Sequence, residues 1–267
     1  MEQPKNNLKI VSEKKNARML LPNMLTLIGV CIGLTSIRFA LDGKFEFAII
    51  AIIFAALIDG LDGRIARLIK GTSKVGKELD SLTDMISFGV APAFIMYFWK
   101  LNTLGRFGWL ICLVYVICVA LRLARFNVNS NQDPSWRDNF FEGVPSPAGG
   151  ILVLTPLIIS LSGFDYIQLN YEIITPIFFI VTSFLLISKF PSYSFKKIVI
   201  QRKATIFLLF GIVLFFGLLL IYTFEVIAIS SMIYLSLLPI SFFHYQNIKK
   251  NNETDKIQDD EDLEDEL

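Results

Sequence analysis

Long apolar runs constrain this chain more than any other feature of its sequence. By hydropathy we place eight of them, each close to the roughly twenty residues that a membrane-spanning helix needs. They lie near residues 23–41, 47–69, 79–99, 108–126, 147–162, 172–189, 204–223 and 226–245. Hydrophobic residues make up 54% of the 267 residues and the mean hydropathy is +0.56, which excludes an ordinary soluble domain. The sequence therefore predicts an all-α fold, a polytopic membrane helical bundle.

The distribution of positive charge predicts how this bundle is oriented. Most of the 25 Lys and Arg residues fall at the N-terminus and in alternate connections, which places them on one predicted side. The exceptions near the other side are Arg38, Lys44, Lys100 and Arg106. Because cytoplasmic loops carry an excess of Lys and Arg, we expect an integral membrane protein with both termini in the cytosol.

The two ends of the chain carry opposite charge, although the formal net charge is only +1. Residues 1–20 are basic, and they predict either a short helix on the membrane surface or a simple basic flank that fixes the topology. Residues 247–267 become almost continuously acidic after Asp255 and predict a disordered cytosolic tail. Nucleic acid is not among the partners that we expect.

Four aspartates surround the short connection between the second and third apolar runs. Asp59 and Asp62 are three residues apart, and Asp80 and Asp84 are four apart, so each pair shares a helix face. Carboxylates at the edge of a membrane helix are costly and usually mark function, and four that converge repel one another unless cations lie between them. Oxygen ligands suit Mg²⁺ or Mn²⁺, so the pattern predicts a site for two metal ions. The alternative is a set of membrane-edge aspartates paired with neighbouring Arg and Lys side chains.

Small residues and one cation accompany the aspartates. Gly60, Gly63 and Gly76 stand where glycine would weaken a helix, which suggests close approach of backbone or ligand. The small side chain of Ala66, one turn later, leaves space on the same helix face. Arg67 adds a planar cation suited to bridging phosphate oxygens. Together these residues predict a site for a nucleotide diphosphate.

The spacing Asp-x-x-Asp-Gly-x-x-Ala-Arg, eight residues, then Gly-x-x-x-Asp-x-x-x-Asp resembles the signature of the CDP-alcohol phosphotransferase family. The matching residues are Asp59, Asp62, Gly63, Ala66, Arg67, Gly76, Asp80 and Asp84. The resemblance implies a six-helix catalytic core over residues 21–190 and two additional C-terminal membrane helices over residues 191–246. It also implies a homodimer embedded in membrane lipid.

The resemblance further implies a role for each signature residue. Asp59, Asp62 and Asp80 would bind two divalent ions, Mg²⁺ or Mn²⁺. Asp84 would be both a metal ligand and the catalytic base that deprotonates the attacking alcohol. The residues that would contact or make room for the CDP group are Gly63, Ala66, Arg67 and Gly76, joined by Asn23 and Thr26 from the start of the first run.

Other segments bear on the acceptor alcohol. Arg122 and Arg125 share a helix face at the end of the fourth run, and such pairs bind carboxylate or phosphate, although they could instead anchor the helix end among headgroups. With residues 141–150 and 21–26, they resemble family members that transfer a phosphatidyl group from CDP-diacylglycerol to L-serine and release CMP. The candidates for binding the acceptor or a lipid phosphate are Arg122, Arg125, Phe126 and Asn127.

Two other functions remain open at this point. A family member with a different acceptor, such as glycerol-3-phosphate or inositol phosphate, would also need basic residues near the aspartates. A divalent-cation transporter would use the same four aspartates but needs acidic residues that continue across the membrane. The outer halves of the predicted runs hold almost none, which counts against transport.

Overall fold

The computed structural model describes residues 13–69, 73–129, 140–163, 169–188, 191–193 and 202–265. Its helices are α1 (Glu13–Leu41), α2 (Phe45–Leu68), α3 (Lys74–Asp84), α4 (Ala91–Trp99), α5 (Arg106–Asn129), α6 (Ser146–Leu161), α7 (Tyr171–Ile187), α8 (Arg202–Ile221) and α9 (Thr223–Asp265). A π-helical segment, Met85–Val90, joins α3 to α4, and a 3₁₀ turn, Leu101–Leu104, precedes α5. A helix occupies each of the eight predicted apolar runs, so the predicted fold class is confirmed.

Four helical stretches of the described chain are long and apolar enough to cross a membrane. They are Leu20–Leu41, Val75–Trp99, Arg106–Val128 and Thr223–Phe242. Shorter apolar helices lie at Ser146–Leu161, Tyr171–Ile187 and Thr205–Ile221. The sequence of α2 is apolar from Phe47 to Ile58 and then carries the first two aspartates, so the charged end of this helix lies next to the start of α3.

The third run is one continuous helix whose middle is π-helical. Such segments are rare, and they often lie at functional sites; this one begins directly after Asp84. Two neighbouring helices approach its backbone closely, since a methyl group on Gly33 would lie 3.1 Å from the Ser87 Cα atom and one on Gly150 would lie 3.2 Å from the Phe88 Cα atom. The Tyr115 hydroxyl donates a hydrogen bond of 2.7 Å to the Phe88 carbonyl oxygen. Three elements therefore hold the π-helical segment in place.

The hydrophobic core lies around this segment. Its fully buried side chains come from α2, the π-helical segment, α4, α5, α6 and α7, and they include Ile52, Phe88, Ile95, Tyr115, Leu154 and Phe179. The rings of Tyr115 and Phe179 meet edge to face with centroids 5.4 Å apart. In contrast, nearly every described side chain of α8 is exposed, as expected for an apolar helix that faces lipid. The core thus fixes the helices that carry the aspartates.

A short antiparallel sheet departs from the predicted all-helical pattern. Strand β1 (Phe140–Glu142) pairs with β2 (Pro191–Tyr193), and Phe141 lies opposite Ser192. Gly143 follows β1 with φ of +76°, a conformation that favours glycine. Three-residue strands are too short for periodicity to reveal them, so no pattern in the sequence predicted this pair.

The ends of the chain also differ in part from expectation. Helix α9 continues to Asp265 through residues that we predicted to be a disordered tail. No Gly or Pro follows Pro239, so no helix-breaking residue ends α9 before the tail. At the other end, α1 begins at Glu13 and runs without a break into the first apolar run, whereas residues 1–12 lie outside the described chain.

Candidate active site

The four aspartates meet between the C-terminal part of α2 and the second half of α3. Asp59 and Asp62 lie in the last three turns of α2, and Asp80 and Asp84 lie in the second half of α3. One carboxylate oxygen from each of Asp59, Asp62 and Asp80 lies within 4.8 Å of the other two. Between residues whose side chains are described, the ion pairs are Arg38–Asp42 and Lys100–Glu172, and neither involves these aspartates. The predicted convergence of carboxylates is present.

Asp84 contacts a second carboxyl group and a hydroxyl. Its carboxyl group is in hydrogen-bonding contact with the Asp59 carboxyl group and with the Ser146 hydroxyl. Its Oδ1 atom is buried and has no hydrogen-bond partner among the described residues. Carboxyl groups this close need a proton or a cation between them, and a buried oxygen without a partner is costly. The arrangement therefore fits a hard divalent cation with oxygen ligands.

Thr26 holds one of these carboxylates. Its hydroxyl donates a hydrogen bond of 2.6 Å to Asp62 Oδ2, and the two residues are 5% and 3% exposed. Helix α1 thus orients a carboxylate on α2, as groups behind metal ligands commonly do. The structure places Thr26 against the acidic cluster, although we predicted it from the sequence to bind CDP.

An open face of α2 lies beside the aspartates. A methyl group on Gly60 or Gly63 would meet no atom within 4 Å, and Gly63 is exposed. Ala66 is half-buried and Arg67 is exposed, and the Arg67 Nε atom donates a hydrogen bond of 3.1 Å to the Gly63 carbonyl oxygen. This face has room for a ligand next to the acidic cluster.

Gly76 marks the point where α1 and α3 come together. Its N–H group donates a hydrogen bond of 2.9 Å to the Ser73 hydroxyl, which caps the N-terminus of α3 and supplies a partner for one free backbone donor. A methyl group on Gly76 would lie 2.9 Å from Asn23 Oδ1. The close approach explains the glycine, and it brings Asn23, another predicted CDP contact, to the start of α3.

Arg122 reaches the neighbourhood of Asp84 from α5. Its Nη1 atom donates a hydrogen bond of 2.6 Å to the Ser146 Oγ atom, and its charge acts on Asp84. Its Nε atom is buried with no hydrogen-bond partner in the described part of the chain. The Ser146 hydroxyl therefore connects Arg122 to Asp84, accepting from the first and donating to the second.

The other predicted acceptor residues have different surroundings. Arg125 donates a hydrogen bond of 2.7 Å to the Ile187 carbonyl oxygen at the C-terminus of α7, where a cation is favourable. The Asn127 Nδ2 atom donates one of 2.9 Å to the Ser81 hydroxyl, and Phe126 is 49% exposed. The structure brings Arg122 to the aspartates, while Arg125 contacts a different helix.

Ser146 belongs to the site, although the sequence did not predict a functional role for it. It lies between two prolines, Pro145 and Pro147, in the stretch compared with serine-using family members. Its side chain is fully buried, and it begins α6. A serine at a helix start usually caps that helix, so nothing in the sequence indicated a contact with Asp84.

Comparisons with known proteins match most of this chain to one family. Residues 19–188 match the family model described as CDP-alcohol phosphatidyltransferase. Relatives that carry the name CDP-diacylglycerol–serine O-phosphatidyltransferase include one from Mycobacterium leprae, which is 46% identical over 144 residues, 53% of this chain and 48% of the relative. One from Helicobacter pylori is 35% identical over 201 residues, 75% of this chain and 83% of the relative. One from Bacillus subtilis is 33% identical over 177 residues, 66% of this chain and 92% of the relative. The chain thus spans about half the length of the mycobacterial relatives that it matches.

Proposed function

The chain belongs to the CDP-alcohol phosphatidyltransferase family, and from the site and its relatives we propose that it transfers a phosphatidyl group from CDP-diacylglycerol to L-serine, giving phosphatidylserine and CMP. The observation that carries the proposal is the meeting of Asp59, Asp62 and Asp80 within 4.8 Å beside Asp84, whose Oδ1 atom is buried. The names of the mycobacterial, Helicobacter and Bacillus relatives support L-serine as the acceptor.

We propose that Asp84 is the general base. It accepts the proton of the serine hydroxyl, and the serine oxygen forms a new bond to the phosphorus that carries the diacylglycerol. The bond from that phosphorus to the CMP oxygen breaks, and CMP leaves with the electron pair. The Ser146 hydroxyl, in contact with Asp84, keeps the carboxylate in position for this proton transfer.

The acidic cluster is the proposed site of two Mg²⁺ or Mn²⁺ ions, held by Asp59, Asp62 and Asp80 together with Asp84. Bound there, such ions supply charge neutralisation for the pyrophosphate and for the departing phosphate of CMP. The oxygen-only donor set supports a hard cation, as does the buried Asp84 oxygen without a partner.

We propose that the CDP group lies along the open face of α2. Gly63 and Ala66 leave room for it, and Arg67 binds pyrophosphate oxygens once its side chain turns from the Gly63 carbonyl oxygen. Gly76 and Asn23, together with Thr26, border the same space at the start of α3. The acyl chains remain in the bilayer, and only the headgroup of the substrate lies in the site.

The acceptor binds on the Arg122 side of Asp84 in this proposal. The buried, unpartnered Nε atom of Arg122 offers a donor to the serine carboxylate. Roles for Arg125, Phe126 and Asn127 in binding the acceptor stay predictions. The contacts of Arg125 with α7 and of Asn127 with α3 support a part for these two residues in positioning the site.

We also propose the membrane placement expected from the charges. The site and both termini face the cytosol of a bacterial-type cell, since basic residues cluster around the acidic cluster and at the N-terminus. Formation of a homodimer is likewise proposed from the family resemblance alone, and the mass of the purified protein in detergent, compared with 30.3 kDa for one chain, tests it.

The experiment that tests the proposal measures CMP release by the purified protein in detergent. CDP-diacylglycerol is supplied with Mg²⁺ or Mn²⁺ and, separately, L-serine, glycerol-3-phosphate, inositol phosphate or no acceptor. We expect release with L-serine, loss of release with EDTA, and a fall of about 10²–10⁴-fold in the Asp84→Asn variant. The matched control is Asp42→Asn, which removes an exposed carboxylate that pairs with Arg38 at 3.3 Å.

Each outcome of this experiment bears on a different part of the proposed function. Release with a phosphorylated alcohol in place of L-serine would keep the family and metal site but replace the acceptor. Release that persists in Asp84→Asn would remove the proposed base. No release with any acceptor would leave cation transport by the four aspartates as the reading to test, by uptake into vesicles.

A further inference from the structure

Arg125 contacts the C-terminus of α7. Helix α7 ends at Ile187, and the last carbonyl groups of a helix have no partner within that helix. The Arg125 Nη1 atom donates a hydrogen bond of 2.7 Å to the Ile187 carbonyl oxygen, and a cation is favourable at this end of a helix. Arg125 therefore ties the cytosolic end of α5 to the end of α7.

The same helix end contacts the turn that leads into α6. The Val144 N–H group donates a hydrogen bond of 3.4 Å to the Leu185 carbonyl oxygen. A methyl group on Gly143 would lie 2.9 Å from the carbonyl oxygens of both Leu186 and Ser188. Gly143 also has a φ of +76°, which favours glycine. The turn formed by Gly143 and Val144 thus lies directly against the carbonyl groups at the end of α7.

Side-chain packing also holds this turn. Val144 is fully buried, and it belongs to a cluster with Leu152 of α6 and Leu238 of α9. Helix α9 lies outside residues 19–188 of the family match. Because a close-packed side chain has little room to shift, the backbone hydrogen bond and the packing together fix the position of Val144.

Ser146 follows Val144 by two residues. Pro145 separates them with a φ of −57°, and its ring restricts the backbone at this point. The Ser146 Oγ atom accepts a hydrogen bond of 2.6 Å from Arg122 Nη1, and the Ser146 side chain is fully buried. A shift of the turn would therefore move the hydroxyl that holds the Arg122 guanidinium, and with it the Nε atom proposed to bind the acceptor.

We propose that Arg125 is a positioning residue for the acceptor: it holds the C-terminus of α7, which fixes the turn before α6 and, through Ser146, the Arg122 guanidinium. The inference rests on the proposed function. It gives the two arginines of α5 different parts, since Arg122 contacts the acceptor and Arg125 acts through the protein. Such an indirect effect is large because a small misplacement of a binding group slows the reaction strongly.

The test replaces Arg125 by Met, which removes the donor, and by Lys, whose ammonium group can still donate to the Ile187 carbonyl oxygen. CMP release is measured while L-serine is varied at saturating CDP-diacylglycerol, and then while CDP-diacylglycerol is varied. We expect kcat/KM for L-serine to fall about tenfold or more in Arg125→Met, with the KM for CDP-diacylglycerol unchanged. Arg125→Lys should retain most of the wild-type value.

A double variant distinguishes action through Ser146 from direct contact with the acceptor. Ser146→Ala removes the hydroxyl on which Arg125 is proposed to act. Adding Arg125→Met to Ser146→Ala should therefore lower kcat/KM for L-serine further by only about twofold or less, whereas two independent effects would multiply.

Gly143→Ala disturbs the turn without altering Arg125. The added methyl group would meet two carbonyl oxygens, and we expect the same selective fall in kcat/KM for L-serine. This variant keeps the inference testable if Arg125→Met does not fold. The matched control is Gly163→Ala, since Gly163 has a similar φ of +69° but a methyl group there would meet nothing within 4 Å.

Arg106→Met is the control for loss of a cation from α5, because the exposed Arg106 begins that helix at its other end. Both controls should keep wild-type kinetics. The unfolding temperature in detergent is recorded for every variant.

A raised KM for CDP-diacylglycerol in Arg125→Met would assign Arg125 to a lipid phosphate and overturn the inference. Multiplying effects in the double variant, or an Arg125→Lys protein as impaired as Arg125→Met, would indicate direct contact with the acceptor and overturn it too. So would wild-type kinetics in Arg125→Met or in Gly143→Ala, or an equal loss with both substrates at a lower unfolding temperature. All these results leave the proposed function intact, whereas failure of the wild type to use L-serine would overturn the proposed acceptor, and the inference with it.

Discussion

The Asp62 carboxylate shows how one hydrogen bond from a neighbouring helix can set the geometry of a candidate metal site. Thr26 Oγ1 lies 2.6 Å from Asp62 Oδ2 in a place where both residues are buried. A carboxylate fixed in this way presents its other oxygen in one direction, so the group behind the ligand contributes to metal affinity.

Replacing Thr26 by Val should weaken metal binding without removing a ligand. The shape of the side chain is kept and the donor is lost, and we expect the Mg²⁺ or Mn²⁺ concentration for half-maximal CMP release to rise about tenfold or more. Titration of the metal in the release assay measures this. Thr35→Val is the matched control, because the exposed Thr35 hydroxyl bonds only to the Cys31 carbonyl oxygen of its own helix; an equal effect in both variants would contradict a role for Asp62 orientation.

The sequence predicted some residue roles well and others poorly, for a physical reason. Spacing of three and four residues placed the carboxylates on shared helix faces, and one short connection brought those faces together. The same reasoning grouped Arg122 with Arg125, yet one contacts Ser146 and the other the end of α7. Spacing along one helix gives direction but does not reveal which neighbouring helix ends there, and that is decided by packing.

At the scale of elements, close packing of α1 against the π-helical segment determines where the aspartates of α3 lie. A methyl group on Gly33 would lie 2.5 Å from Ser87 Oγ, and one on Gly29 would lie 3.2 Å from Thr83 Cγ2. The Ser87 hydroxyl is 3.3 Å from the Gly29 carbonyl oxygen, to which it donates. Glycine thus lets the two backbones approach, as small residues do between membrane helices.

Gly33→Ala should therefore destabilise the protein. Either the Ser87 side chain or the helices must move, and we expect a loss of about 1–3 kcal/mol, the usual cost of overpacking, seen as a lower unfolding temperature in detergent. Gly29→Ala should cost less, since it meets only a side-chain methyl group. Gly211→Ala on α8, where a methyl group meets nothing within 4 Å, is the control and should be neutral; an equally stable Gly33→Ala protein would refute the packing argument.

The number and positions of the helices followed from hydropathy, but their internal details did not. Hydropathy reports length and polarity, so it located the run near 79–99 without revealing that Met85–Val90 is π-helical. The residues of that segment are ordinary for a membrane helix, and the irregular turn depends on contacts with Gly33, Tyr115 and Gly150, which come from other parts of the chain.

At the scale of the whole molecule, the distribution of charge predicts how the protein is oriented in the bilayer. Asp42 and Val75 are both exposed, and they lie at opposite ends of the α1–α2–α3 unit. The positive-inside rule puts the connection at Asp42 outside and the start of α3 inside.

Labelling of single cysteines tests this orientation. In a variant whose Cys31, Cys112 and Cys118 are replaced by alanine, a membrane-impermeant maleimide applied to intact cells should label Asp42→Cys and leave Val75→Cys unlabelled. Inverted vesicles serve as the control and should show the reverse. Labelling of Val75→Cys in intact cells would place the acidic cluster on the outer side and contradict a cytosolic site.

The π-helical segment has a consequence for how much the length of this chain can vary. A π-helical turn closes each hydrogen bond over one residue more than an α-helical turn does, so Met85–Val90 stores surplus backbone between the acidic cluster and the buried core. Loss of one residue there can be absorbed by an ordinary α-helical turn. Loss of one residue between Asp80 and Asp84 would swing one carboxylate by about 100° around the helix. We therefore expect deletion of one residue to be tolerated just after Asp84 and to abolish the carboxylate arrangement when it falls between Asp80 and Asp84.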